Sequence, residues 1–258
     1  MRKRVVVPSG RLEIIGVVGL PEITEGDDLT RLFLDALQTQ NQELEDGDAI
    51  IFTSKIISKS DGRVIDLRTV PVSAEAARIA EQIEKDPRVV QLVLNESNAV
   101  VRLTRNHVIV ETKHGFVCAN AGVDESNVAH EKAVLLPLDP QKSAHQLRRE
   151  IEAETGKVIA VLVADSFGRA FRDGVTGVCI GVSGIPALLD RRGEEDRFGK
   201  IARITKEAVA DEICAAANLV MGEFQEGVPV AIVRGLQLEC CESDIRDLLF
   251  DREEDLFR

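Results

Sequence analysis

The stretch HGFVCANAGVDESNV, residues 114–128, runs through eight small or apolar positions interrupted only by Asn120, then sets Asp124, Glu125, Ser126 and Asn127 side by side. Two other places put oxygen donors beside small or apolar residues: Asp165-Ser166 follows the run VIAVLVA, and Glu223 follows LVMG. A hard cation such as Mg2+ takes oxygen ligands and leaves part of its shell to substrate phosphates, a chemistry these acids could support together. Taken singly, each has a plainer reading as a solvated loop acid, since charged side chains are mostly exposed. Lys59 in SKIISKSDGR is either a solvated lysine or a cation placed for a phosphate, and spacing does not decide between them. Arg169 and Arg172 in FGRAFRDG could clamp an anionic substrate, because guanidinium binds carboxylate and phosphate in two-pronged fashion; the alternative is a pair of surface arginines. His114, beside Gly115, could serve as a general base, with a structural hydrogen bond as its more ordinary role.

Phosphate binding would need means other than the two commonest nucleotide loops. No G-x-x-x-x-G-K-[ST] occurs, and no G-x-G-x-x-G opens a helix after a strand. With 32 Lys plus Arg against 44 Asp plus Glu, the net charge of -12 repels polyanions, so a nucleic-acid partner is not expected. A small anion remains compatible, because a bound divalent cation or a basic pocket reverses the field locally. The five cysteines contain no C-x-x-C pair and no zinc-like cluster, which reads as reduced thiols in a cytoplasmic protein. The basic start MRKRVVVPSGRLEII lacks the apolar stretch of a signal peptide, and VIAVLVA is far too short to span a bilayer; neither export nor a membrane partner is expected.

These residues need elements to position them. Leu29, Leu32, Phe33, Ala36 and Leu37 recur at helical spacing behind Asp27-Asp28, which can cap a helix. AIIFT reads as a strand that hands over to another element within Ser54 to Lys59. Ser73 opens a second helix and Asp86-Pro87 a third, and VVRLT and HVIVET flank Arg105-Asn106 as a hairpin. A helix is expected from Gln141 to Thr155 with Gly156 as its stop, then a strand VIAVLVAD that ends at Asp165 and is buried on both faces. A long loop, residues 167–184, then leads to the helix TKEAVADEICAAANLVMG and the strand VPVAIVRG, and DIRDLLFDREEDLFR reads as a short terminal helix. Interleaved helices and hairpin-joined strands predict an α+β fold with a mixed sheet, and no linker divides residues 1–258.

In this order along nearly the whole chain, GLPEI, GDAIIFTSKIISKSDGR, ETKHGFVCANAGVDESNV, VLVADSFGR and VMGEFQEGVPVAIVRG resemble the coenzyme F-420:L-glutamate ligase family. The resemblance implies an uncommon mixed fold of two interleaved lobes in an intertwined homodimer, and a GTP- and divalent-metal-dependent ligase joining L-glutamate to the deazaflavin coenzyme. By matched motif it implies that Leu20, Pro21, Glu22 and Ile23 line the guanine nucleotide, with Ser54, Lys59 and Asn127 also touching GTP. Met221, Gly222, Glu223, Phe224, Gln225, Glu226, Gly227 and Val228 would complete the GTP site. Asp124 and Asp165 would hold one ion and Ser166 and Glu223 a second, magnesium or manganese, with potassium as a further ion. Asp165 and Arg169 are the residues expected to act in catalysis.

Beyond Asp165 the chain departs from the family pattern TFGRPWRNGQTDVAIG, reading SFGRAFRDGVTGVCIG. Ser166 keeps a hydroxyl ligand, whereas Val175 and Gly177 withdraw polar groups from a segment expected to meet the acceptor. The expected activity is therefore amide formation between the coenzyme carboxylate and the amine of L-glutamate through an acyl phosphate. The alternatives are the same chemistry on a different acid, or a GTP-binding regulatory protein without turnover.

Overall fold

A computed structural model describes residues 10–236 and 239–255. Along the chain run strand β1 (Glu13–Val17), helix α1 (Leu29–Thr39), strand β2 (Ala49–Thr53), helix α2 (Ser54–Ser60) and strand β3 (Val64–Asp66). Helices α3 (Ala74–Ile83) and α4 (Pro87–Asn95) come next, then strands β4 (Ser97–Thr104), β5 (His107–Thr112), β6 (Val117–Ala119) and β7 (Lys132–Val134). The second half holds α5 (Pro140–Thr155), β8 (Ala160–Arg169), β9 (Arg172–Ser183), the short pair β10 (Leu189–Asp190) and β11 (Lys206–Glu207), α6 (Val209–Met221) and β12 (Val230–Arg234).

Capping chemistry sets the helix starts. The carboxylates of Asp28, Asp86 and Asp139 and the hydroxyl of Ser73 each accept from a backbone N–H in the first turn of their helix, and Gly156 ends α5 in the left-handed conformation. The main sheet has five strands in the order β1-β12-β2-β8-β9. β2 and β8 are parallel and every other neighbour in it is antiparallel, so the sheet is mixed as expected. β2 and the first half of β8 are buried, which explains their unbroken apolar runs. Phe33 of α1 meets Phe52 of β2 edge to face at 5.5 Å in the centre of this core. A second apolar cluster packs α3 and α4 against β5, around Ile79, Ile83, Val90, Val93, Val108 and Val110.

The largest correction concerns residues 167–184, read above as a loop. They belong to the β8–β9 hairpin, in which β8 continues past Asp165 to Arg169 and pairs back with β9. Gly and Arg residues suggested irregular chain, but here the glycines admit close packing: a Cβ on Gly177 would stand 2.7 Å from the Cys214 carbonyl oxygen of α6, and one on Gly181 2.3 Å from that of Pro140. Position 177 thus faces the backbone of α6, and the expectation that it withdraws a polar group from an acceptor is corrected. α6 opens at Val209, because Lys206-Glu207 pairs with Leu189-Asp190 instead of joining the helix. The terminal segment forms only a single 3-10 turn, Ile245–Leu248, with Ile245 buried; residues 256–258 of the expected helix lie outside the described residues.

Candidate functional site

The parallel pairing of β2 with β8 creates the centre of the site. Thr53 stands opposite Ala164, so the next residues, Ser54 and Asp165, meet at the ends of two neighbouring strands, and the Ser54 hydroxyl donates to Asp165 Oδ1 at 2.8 Å. Burial drives the Asp165 carboxyl up to about 6; the Ser54 and Ser166 hydrogen bonds pull it down, and the charge of Asp124 pushes it further up. Cys118 lies close enough for the charge of Asp165 to act on its buried thiol, which burial first and that charge second push up to about 12. It stays a thiol at neutral pH and is no nucleophile.

Asp124 arrives on the bare segment singled out in the sequence. Asn120, Ala121 and Gly122 all take left-handed backbone conformations, and a Cβ on Gly122 would stand 2.6 Å from Leu136 Cγ. Small residues are needed here first for the sharp turn and its packing on Leu136; Ala119, Gly122 and Val123 also line the cavity beyond. Asp124 Oδ1 accepts the backbone N–H of Ser126 at 2.7 Å, while Oδ2 accepts the Ser126 hydroxyl at 2.8 Å and pairs with Lys55 Nζ at 2.7 Å. Burial works to raise the Asp124 carboxyl, but the bonds from Lys55 and Ser126 outweigh it and hold the group below its ordinary range.

Glu223 stands just beyond the end of α6. Its Oε1 accepts from the Ser166 hydroxyl at 2.6 Å and from Asn218 Nδ2 at 2.7 Å. The preceding Gly222 has φ 70° and ψ -176°, a backbone conformation that favours glycine and sets the turn into the 222–229 segment. Glu226 Oε2 accepts the Phe224 N–H at 2.8 Å, and Asn127 Nδ2 donates to the Phe224 carbonyl at 3.4 Å, linking the Asp124 segment to the 222–229 segment. Lys59, almost wholly buried, forms an ion pair with the exposed Glu22.

Cys118, Asn120, Ala121 and Leu136 apart, these groups line one cavity of about 540 Å3. It brings together Leu20, Pro21, Glu22 and Ile23, Ser54 and Lys59, Asp124 and Asn127, Asp165 and Ser166, and the whole run from Met221 to Val228. Arg169 is not among them. It sits near the hairpin tip with Nη2 donating to the Asp173 carbonyl at 3.3 Å. His114 takes the structural role: Nε2 donates to the Pro137 carbonyl at 3.0 Å. Ser126, part of the polar cluster noted in the sequence, lines the cavity too, and so do Lys55 and Asn218, which were not singled out from sequence. A lysine beside Ser54 in SKIISK was the available signal for Lys55; nothing local marks Asn218.

The donor set suits hard cations. Carboxylates and hydroxyls supply oxygen only, and the mutual repulsion of Asp124 and Asp165 is relieved by a cation between them. Among the described residues no three His, Cys, Asp or Glu groups converge, so an ion at Asp124 with Asp165, or at Ser166 with Glu223, would need its remaining ligands from substrate or water. Among the described residues, the five lining carboxylates Glu22, Asp124, Asp165, Glu223 and Glu226 share the cavity with two cations, Lys55 and Lys59, both already paired. Polyphosphate could enter such a cavity only with added positive charge.

Fold and site together define a mixed α/β protein with a mixed five-stranded sheet and an acid-rich cavity at the adjoining ends of β2 and β8. The chain belongs to the F420-0:gamma-glutamyl ligase family, whose model matches residues 17–235. It is 44% identical over 249 residues to the coenzyme F420:L-glutamate ligase of Methanothermobacter thermautotrophicus, covering 96% of this chain and 99% of the relative. The coenzyme F420:L-glutamate ligase of Methanocaldococcus jannaschii is 46% identical over 248 residues, 96% of this chain and 97% of the relative. That of Archaeoglobus fulgidus is 43% identical over the same shares.

Proposed function

We propose that this chain joins L-glutamate to coenzyme F420 through an amide bond, in a reaction that consumes GTP and requires divalent metal. What carries the substrate assignment is 44% and 46% identity, over 96% of the chain, to relatives named for that ligation. The acid-rich cavity with paired lysines supports the metal and nucleotide parts of the reading.

GTP would lie in the cavity with Leu20 to Ile23 against the base, Ser54, Lys59 and Asn127 near the phosphates, and residues 221–228 closing over it. Asp124 with Asp165, and Ser166 with Glu223, would hold magnesium or manganese, with potassium as a further ion. Bound there, such ions neutralise phosphate charge and polarise the phosphoryl group. An oxygen of the acceptor carboxylate attacks the γ-phosphorus, the bond to the β,γ-bridging oxygen breaks, and GDP leaves. The glutamate amine then attacks the acyl carbon of the resulting acyl phosphate, loses a proton and expels inorganic phosphate. The chain's share is positioning: Ser54 fixes Asp165, Asn218 fixes Glu223, and Asn127 holds the two walls of the cavity together. Arg169 would meet an acceptor that extends from the cavity to the hairpin tip. The chain would work as one catalytic unit of two interleaved lobes, a reading supported by the two apolar clusters among the described residues, and as an intertwined homodimer.

The test is a turnover assay with the glutamate-free coenzyme, GTP and L-glutamate in the presence of Mn2+ or Mg2+. Mass spectrometry should show gain of a glutamyl residue with one phosphate released per amide formed. Phosphate release that ignores both acceptor and glutamate, or an unchanged coenzyme mass, overturns the reading.

A further inference from the structure

Lys55 is the first residue after Ser54 in α2 and reaches across the cavity to the Asp124 segment. Its ammonium touches Asp124 Oδ2 at 2.7 Å, the Ser126 hydroxyl at 2.9 Å and the Ser126 carbonyl at 3.3 Å, with the side chain one quarter exposed. Lys59, the other cation of the cavity, is held by Glu22, so Lys55 offsets the charge of the Asp124 and Asp165 pair.

We propose that Lys55 is the resident counter-ion of this site: its ammonium exchanges with the divalent cation at Asp124 and, once displaced, pairs with the nucleotide phosphates. The inference rests on the reading of Asp124 as a metal ligand. Asp124 Oδ2 already accepts from Ser126 as well as Lys55, and a divalent ion bound to the same oxygen would stand about 2.0–2.1 Å from it. That places a dication and an ammonium within a few ångströms of each other on one acceptor, where their repulsion makes occupancy alternate. The lysine stem is flexible, and a compact ammonium pairs as readily with a phosphate oxygen as with a carboxylate. The exchange keeps the local charge balanced in both states: lysine covers the acids before metal arrives and helps cover the phosphates afterwards. An ordinary structural ion pair would not favour the empty site over the metal-loaded one in this way.

The test is nucleotide-free Mn2+ binding, read from the electron paramagnetic resonance of free Mn2+, for wild type, Lys55→Met, Lys55→Arg and Asp124→Asn. Lys55→Met should bind Mn2+ about five- to tenfold more tightly than wild type, because a charge-assisted bond no longer competes for Asp124. Lys55→Arg should bind as wild type does. At saturating Mn2+, a non-hydrolysable GTP analogue should bind Lys55→Met about tenfold more weakly, through loss of one phosphate-pairing charge. Mn2+ affinity that is unchanged or lower in Lys55→Met, while Asp124→Asn loses binding, overturns the exchange alone. Asp124→Asn that binds Mn2+ like wild type overturns the metal reading beneath it, and unchanged analogue affinity overturns the phosphate half. Lys55→Gln, which keeps a polar contact to Ser126, repeats the measurement should the Met variant melt early.

Discussion

At the scale of single residues, Asp165 carries the clearest consequence of its surroundings. Its carboxyl is raised from 3.8 to about 6 in the folded chain, chiefly by burial, so the folded state binds protons that the unfolded state has released. Stability of the metal-free protein should therefore fall as pH rises from about 4 to about 6 and stay at the lower level above. Asp165→Asn removes the penalised charge and keeps an oxygen that can accept from Ser54. At pH 7.5 the metal-free variant should be more stable by about 1–3 kcal/mol, with no gain at pH 4. The same change should cost roughly 100-fold or more in ligation, because an amide oxygen is a weak ligand for a hard cation. Thermal melts at both pH values, with and without Mn2+, check this; wild-type activity in the variant removes Asp165 from the metal site. Lys59 gives a parallel case. Its buried position beside Glu22 argues against a merely solvated side chain, and Lys59→Ala should raise the KM for GTP about tenfold at fixed metal. A GTP titration that superimposes on wild type returns Lys59 to a structural pairing.

Elements add constraints that no single residue displays. β9 lies against α6 so closely that Gly177 has the helix backbone as its neighbour, and α6 carries Asn218 and leads into Glu223. Gly177→Ala should therefore cost about 1–3 kcal/mol of stability, as overpacking does when the obstructing atom is backbone. It should also weaken metal binding at Ser166 and Glu223 more than at Asp124, since Ser166 is the strand partner of Gly177 and Asn218 would be pushed from Glu223. Chemical denaturation with a Mn2+ titration tests both, and a variant as stable as wild type would show that α6 yields freely. The same region marks where local reading of the chain stops. Caps at Asp28, Ser73 and Asp86, the stop at Gly156 and the apolar runs of β2 and β8 were legible because they rest on neighbours in sequence. The β8–β9 hairpin was not legible, because its glycines answer to α5 and α6, elements distant along the chain. Asp124, Asp165, Ser166 and Glu223 stood out as acids and hydroxyls beside small residues, whereas Lys55 and Asn218 gain meaning only from what stands opposite them.

For the molecule as a whole, charge and exposed apolar surface pull association in opposite directions. The net charge of -12 makes two copies repel, while Val175 of the hairpin, Leu219 of α6 and Phe224 beyond it are 52%, 83% and 76% exposed in one chain. If the proposed homodimer covers this apolar surface, its formation removes hydrocarbon from water and must work against the repulsion. Salt then has a definite sign. Screening shortens from about 30 Å at 0.01 M to about 8 Å at 0.15 M ionic strength, so the dimer should tighten as salt is added, opposite to an interface held by ion pairs. Leu219→Glu should weaken association by at least about 1–3 kcal/mol, because it places an unpaired carboxylate where an apolar contact stood. Light scattering across a dilution series at low and moderate salt measures both effects. A wild type that stays at 28.2 kDa at every concentration and salt overturns the dimer, and association that loosens as salt rises moves the interface away from this apolar surface.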